Sequence, residues 1–150
     1  MIQRKQTIFL FLAVVFGILS LCMQLATVTY EGLTTYRVFS LWAIGQNEAS
    51  NFVPCPLFIL MLLSTTLSVC TIFLFKRRPL QARLCLVNLF IMVLWYISMV
   101  MVSKQLAPDA MNFHLEIASS FPAVVAILLF MARKGILADE RLVRSADRIR

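Results

Sequence analysis

Residues 56–102 read PLFILMLLSTTLSVCTIFLF, then KRRPLQAR, then LCLVNLFIMVLWYISMVMV. Two apolar runs, Pro56–Phe75 and Leu84–Val102, flank an eight-residue turn that carries Lys76, Arg77, Arg78 and Arg83. A membrane-spanning helix needs about 20 apolar residues, and each run supplies about that many. The turn, broken by Pro79, is too short for a soluble insertion, so the two runs are expected to be antiparallel neighbours.

Two more apolar segments lie outside this pair. One runs over residues 7–29 without a charge, and the other covers residues 113–132 and contains Glu116 and Pro122. Arg4 and Lys5 precede the first, as in a signal peptide. A signal core is only about 7–15 residues long and ends in small residues, whereas this run is longer and lacks such a site. A lipoprotein-like cleavage box at Leu19–Cys22 is spoiled by the bulky Leu21 before the cysteine. The first segment therefore reads as a retained helix.

The composition agrees. The chain has 150 residues, of which 61% are hydrophobic and 14% charged. Soluble domains average about 45–50% and about 25%. A soluble enzyme, a disordered regulator and a disulfide scaffold are all excluded as first readings. The expected fold is an all-α integral membrane protein of four transmembrane helices in an antiparallel bundle, spanning about 7–29, 56–75, 84–102 and 113–132. A cytoplasmic amphipathic tail, 133–150, completes the single membrane domain.

Orientation follows from the flanking cations. Arg4 and Lys5, the four cations of residues 76–83, and Arg133, Lys134, Arg141, Arg144, Arg148 and Arg150 fall on one side. Arg37 and Lys104 fall on the other. Twelve against two places both ends in the cytoplasm of a bacterial inner membrane. The net charge of +7 then reports orientation and contact with the anionic leaflet through Lys76, Arg77, Arg78 and Arg83, not nucleic acid. The long connection, 30–55, lies outside. Its stretch Tyr36–Ile44 is aromatic and β-branched; a short hairpin or an interfacial helix would fit, and β-propensity favours extended structure, ending or turning near Gly45. Tyr30, Tyr36 and Trp42 suit the membrane interface.

Each span carries small or polar residues at helical spacing: Ala13, Gly17, Ser20, Gln24 and Thr27; Ser64, Ser68 and Thr71; Asn88, Trp95 and Ser98; Glu116, Ser119, Ala123 and Ala126. Such seams let helices approach closely in lipid. Gln24 and Asn88 are expected to bond neighbouring helices, and Pro122 to kink the fourth. His114 and Glu116 are candidate intramembrane polar groups. At i and i+2 they face different sides of a helix, so a shared site would need a non-helical start to this segment.

Signs of catalysis are missing. The chain contains no G-x-S-x-G, H-E-x-x-H or phosphate-binding glycine loop, and a lone histidine. Cys22, Cys55, Cys70 and Cys85 are scattered without ligand spacing. Neither a metal nor a cofactor is expected. The tail is the more distinctive element. Its arginines alternate with Asp139, Glu140 and Asp147, a pattern that suits a helix against a protein surface better than bulk lipid.

The first residues, MIQRKQT at 1–7, and the last, DERLVRSADRIR at 139–150, resemble a family of small four-span inner-membrane proteins of Bacteroidota, catalogued as domain of unknown function 4293. That family usually begins Met-Ile-Gln-Arg-x-Gln-Thr, with Lys5 at the variable position here, and ends on the same tail pattern. The resemblance covers the whole chain in length and span pattern, and its motifs are specific at the termini and general between them. It implies no reaction, and it marks the two cytoplasmic ends as the distinctive parts.

The expected function is a non-catalytic accessory or assembly subunit of an inner-membrane complex, in protein export or envelope biogenesis. Docking is expected through Arg141, Leu142, Val143, Arg144, Asp147, Arg148 and Ile149. The alternative is a small oligomeric transporter or channel that uses Gln24, Asn88, His114 or Glu116. An intramembrane enzyme acting on lipid ranks third, since no nucleophile is marked.

Overall fold

The computed structural model describes residues 3–30, 33–45, 50–74, 77–106 and 112–147; at 3–5, 30, 33–35, 78, 144, 146 and 147 it describes the backbone. Four long helices dominate: α1 (Gln3–Cys22), α2 (Cys55–Phe73), α3 (Arg78–Leu106) and α4 (Phe121–Asp147). Three of them are long and apolar enough to cross a membrane; the apolar part of α1, Gln6–Cys22, is shorter and sits at the lower end of the spanning range of about 17–25 residues.

Helix α1 packs against α2 and α4, and α3 packs against the same two, so neighbours in sequence are neighbours around the bundle. Named contacts make every adjacent pair antiparallel. Gly17 meets Thr65 across α1 and α2, and Gln81 Nε2 donates to the Thr71 carbonyl across α2 and α3 at 3.1 Å. Tyr96 Oη donates to the Ser119 carbonyl ahead of α4 at 3.2 Å. Gly135 lies against Gln6, while at the other end the Phe16 and Phe121 rings meet edge-on at 5.6 Å.

Apolar side chains lie on both the inside and the outside of this bundle. Leu10, Met61, Met92, Trp95 and Leu129 are fully buried, yet Phe11, Phe73, Phe90 and Ile127 are 60–73% exposed. Ser64, Ser68 and Asn88 are buried instead. Helices that are apolar all round, with polar residues turned inward, are built for a surrounding that is itself apolar.

The all-α expectation needs correction. Five short strands, β1 (Ala26–Tyr30), β2 (Leu33–Val38), β3 (Ala43–Gly45), β4 (Ser50–Asn51) and β5 (Asn112–Leu115), form one antiparallel sheet in the order β4-β3-β2-β1-β5. The first four come from the α1–α2 connection; β2 and β3 overlap the stretch Tyr36–Ile44, where extended structure was expected, whereas β1 falls in the predicted first span. The fifth comes from the α3–α4 connection. Ala26, Val28, Val38 and Ala43 turn inward and are fully buried.

The sheet shortens two of the predicted spans. The first apolar run leaves the helix after Cys22, and its last residues become β1. Here Ser40 caps the helix end by donating Oγ to the Ser20 carbonyl at 3.0 Å, a group that has no partner within α1. The fourth run begins as β5, passes through a 3₁₀ turn at Ile117–Ser120, and is helical only from Phe121. Pro122 therefore sits in the first turn of α4 and does not kink its middle. A missing N–H costs nothing in a first turn. At the far end α4 continues unbroken to Asp147, so the tail is an extension of the fourth helix and not a separate element.

Candidate functional site

Two surfaces hold the chemistry-bearing side chains, one at each end of the bundle. The first is the outer face of the sheet. Alternation along the strands puts Thr27 level with His114 on β5 and with Arg37 on β2, and Arg37 level with Ile44 on β3. Thr27 Oγ1 donates to Glu116 Oε1 at 3.3 Å. His114 and Glu116 thus start the fourth segment in extended backbone, where i and i+2 share a face. Both are exposed on the outer face of the sheet and do not start on a helix as expected.

Gln24 is also moved. It follows the end of α1 and donates Nε2 to the Ala26 carbonyl at a long 3.5 Å, within its own connection. Asn88 alone among the four polar candidates lies inside the bundle. Its Nδ2 donates to the Ser64 carbonyl at 3.1 Å and to Ser68 Oγ at 2.8 Å. Ser68 Oγ in turn donates to the Ser64 carbonyl at 3.0 Å. Both amide protons are used in tying α3 to α2. The four candidates are therefore not brought together into one polar path. Among the described residues no group of three or more His, Cys, Asp or Glu side chains is placed to hold a metal ion.

The second surface is the opposite end, where α3 begins and α4 leaves the bundle. Among the described side chains, Ile136 is the last fully buried one of α4. Beyond it, Arg141, Leu142 and Val143 are exposed, the two apolar ones at 57% and 44%. Arg144 and Asp147 lie on the same helix with backbone described, and Arg148 and Ile149 fall outside the described residues. Of the four basic residues expected in the α2–α3 turn, Arg78 and Arg83 lie in α3; Arg77 and Arg83 are exposed, and Lys76 and the side chain of Arg78 lie outside the described residues.

Beside this end is a groove of about 270 Å³ that the sequence did not reveal. Pro79, Ala82, Arg83 and Leu86 of α3 line one wall, and Arg133, Leu137 and Glu140 of α4 line the other. Each set follows helical spacing, which is the one signal the sequence held; that the two stripes face each other is a tertiary fact. A larger cavity of about 630 Å³ lies at the sheet end between α3, β5 and α4, with Tyr96, Met99, Val100 and Phe113 in its lining.

No curated protein matches the chain. The sequence profile of one family matches residues 2–149, nearly the entire length, and the chain belongs to that family, described as a domain of unknown function (DUF4293).

Proposed function

We propose that this protein is a four-span inner-membrane protein with both ends in the cytoplasm. It serves as a non-catalytic accessory or assembly subunit that docks a partner through the cytoplasmic end of α4. The observation that carries this reading is the length and exposure of that helix. The helix exceeds its own apolar stretch, which ends at Ala132, by the run to Asp147, a rise of about 22 Å. The excess emerges at the basic end as a rigid rod, with Leu142 and Val143 uncovered between arginines. Two adjacent apolar side chains on a charged, water-exposed helix are the usual core of a helix-docking surface, and the surrounding charges select the partner.

Lys76, Arg77, Arg78 and Arg83 hold the same end against the anionic leaflet, at about 1 kcal/mol each. The sheet stands on the opposite side of the membrane. Export and envelope assembly are the processes that such a subunit suits, since both need membrane complexes with contacts on either face.

The test is gentle purification of the full chain from native membranes through a tag set beyond a flexible linker, with co-purifying proteins identified by mass spectrometry. One partner in near-equal amount is expected. A homo-oligomer without a partner would overturn the subunit reading.

A further inference from the structure

We propose that the groove between α3 and α4 at the basic end is a binding site for the phosphate headgroup of an anionic phospholipid. This rests on the membrane orientation given above, though not on the existence of a protein partner.

Three observations converge there. The first is charge. Arg83 and Arg133 stand on opposite walls against the lone carboxylate of Glu140, which has interactions of its own and is not an unpaired group. The lining keeps a positive excess. The second is an unmet donor. Arg133 is half-buried, and its Nε is out of contact with solvent without a hydrogen-bond partner among the described residues. A buried guanidinium N–H without an acceptor costs free energy until an anion supplies one. The third is the rest of the wall. Pro79, Ala82, Leu86 and Leu137 are apolar, and Leu86 is 37% exposed. A soluble anion gains nothing from such a wall, whereas the glycerol and first methylenes of a lipid can lie against it.

The residues also sit at the correct depth. Gly135, two residues on from Arg133, lies against Gln6 near the start of α1, and Arg83 lies in the second turn of α3. Both guanidiniums thus lie near the ends of their helices' apolar stretches, where a phosphate plane is expected. Basic clefts between helices on the cytoplasmic side are the usual form of such sites.

Native mass spectrometry of the detergent-released full chain tests this, with phosphatidylglycerol, phosphatidylcholine and inorganic phosphate titrated separately. Phosphatidylglycerol should be retained at one molecule per chain, and phosphatidylcholine and inorganic phosphate at least tenfold more weakly. Arg83→Gln and Arg133→Gln should each weaken retention about fivefold, and together about 25-fold. Leu86→Trp, which fills the groove and keeps both charges, should also abolish retention. Lys104→Gln, an exposed cation in the last turn of α3 at the opposite end of the bundle, should leave it unchanged.

Equal loss in Lys104→Gln would mean that retention follows overall charge and would overturn the site. Retention unaffected by the two arginine variants would do the same. Equal binding of inorganic phosphate would reassign the groove to a free anion. Arg83 is exposed, so its variant remains informative if the Arg133 change prevents folding. Loss of lipid with the partner still bound, or the reverse, separates this proposal from tail docking.

Discussion

The backbone N–H of Glu116 donates to the carbonyl oxygen of Leu25 at 2.9 Å. One residue closes the α1 end of the first connection and the other opens the approach to α4. Their bond continues the β1–β5 ladder and makes the two outer connections a single sheet over the bundle. The Leu25 N–H donates instead to the Val38 carbonyl at 2.8 Å, so Leu25 ties β5 to β2, and the neighbouring Ala26 and Leu115 lie opposite each other with Cα atoms about 4.5–5.5 Å apart.

That spacing falls within disulfide range. In a chain whose four native cysteines are replaced by alanine, Ala26→Cys with Leu115→Cys should oxidise to an intramolecular bridge. After proteolysis between the two sites, the fragments should stay linked without reductant and separate with it. Free thiols at both positions under mild oxidation would mean that the two connections do not share a sheet.

The helices were legible because apolar runs of spanning length have few other fates. The sheet was less so, for a physical reason. Ala26–Tyr30 and Phe113–Leu115 are apolar enough to extend the neighbouring helical runs, and hydropathy alone cannot mark where helix gives way to strand. The period-two signal was present: Ala26 and Val28 are buried while Thr27 and Thr29 are half-buried. However, β5 is only four residues long and gains its conformation from pairing with β1. The same ambiguity hid the extended backbone of His114 and Glu116. Asn88, in the middle of an unambiguous helix, could be read as a cross-helix donor from its type and position alone. The Arg83–Arg133 groove could not be read, since it depends on how α3 and α4 are rotated against each other.

Gly17 is a point of close approach on the α1–α2 seam. A Cβ there would collide with Thr65 Cγ2 and lie 3.5 Å from Met61 Cε. Gly17→Ala should therefore destabilise the bundle by about 1–3 kcal/mol despite the better helix propensity of alanine. Thr65→Ser removes the colliding methyl and can keep the hydroxyl's bond to the Leu62 carbonyl. Combined with Gly17→Ala it should recover most of the loss in detergent thermal melts. Additive effects of the two changes would place the contact elsewhere.

Asn88 gives a second interior test. Asn88→Leu removes both donors to α2 while leaving the Ser64 carbonyl its bond from Ser68. The cost should be about 0.6–2 kcal/mol, the range for polar contacts between helices in lipid. Asn88→Asp should cost more, because an ionised carboxylate donates nothing and brings a buried charge. A melt of the aspartate variant above that of the leucine variant would show that the site is hydrated and not packed.

Orientation can be read from thiol labelling in the same cysteine-free background. Arg37 on the sheet and Arg77 in the α2–α3 turn are both exposed. With intact inner-membrane spheroplasts and a membrane-impermeant maleimide, Arg37→Cys should label and Arg77→Cys should label only after lysis. The reverse pattern would invert the protein and move the basic groove away from the anionic leaflet.

The tail remains, where apolar and charged contributions can be separated. Leu142 and Val143 are adjacent and exposed at 57% and 44%, so changing them removes no packing from the bundle. If they form the centre of a docking surface, Leu142→Glu with Val143→Glu should abolish recovery of the partner, since burying two carboxylates without counter-charges is prohibitive. Arg144→Glu with Arg148→Glu should also abolish it if the flanking charges select the partner. Leu142→Ala with Val143→Ala should weaken recovery by a smaller factor, because it removes apolar area without adding charge. Membrane insertion and detergent melting temperature should stay as in the unmodified chain for all three. Partner recovery that persists in the glutamate variants would move the docking surface off this helix and leave the outer sheet, with exposed Arg37 and His114 flanking half-buried Thr27, as the face to probe next.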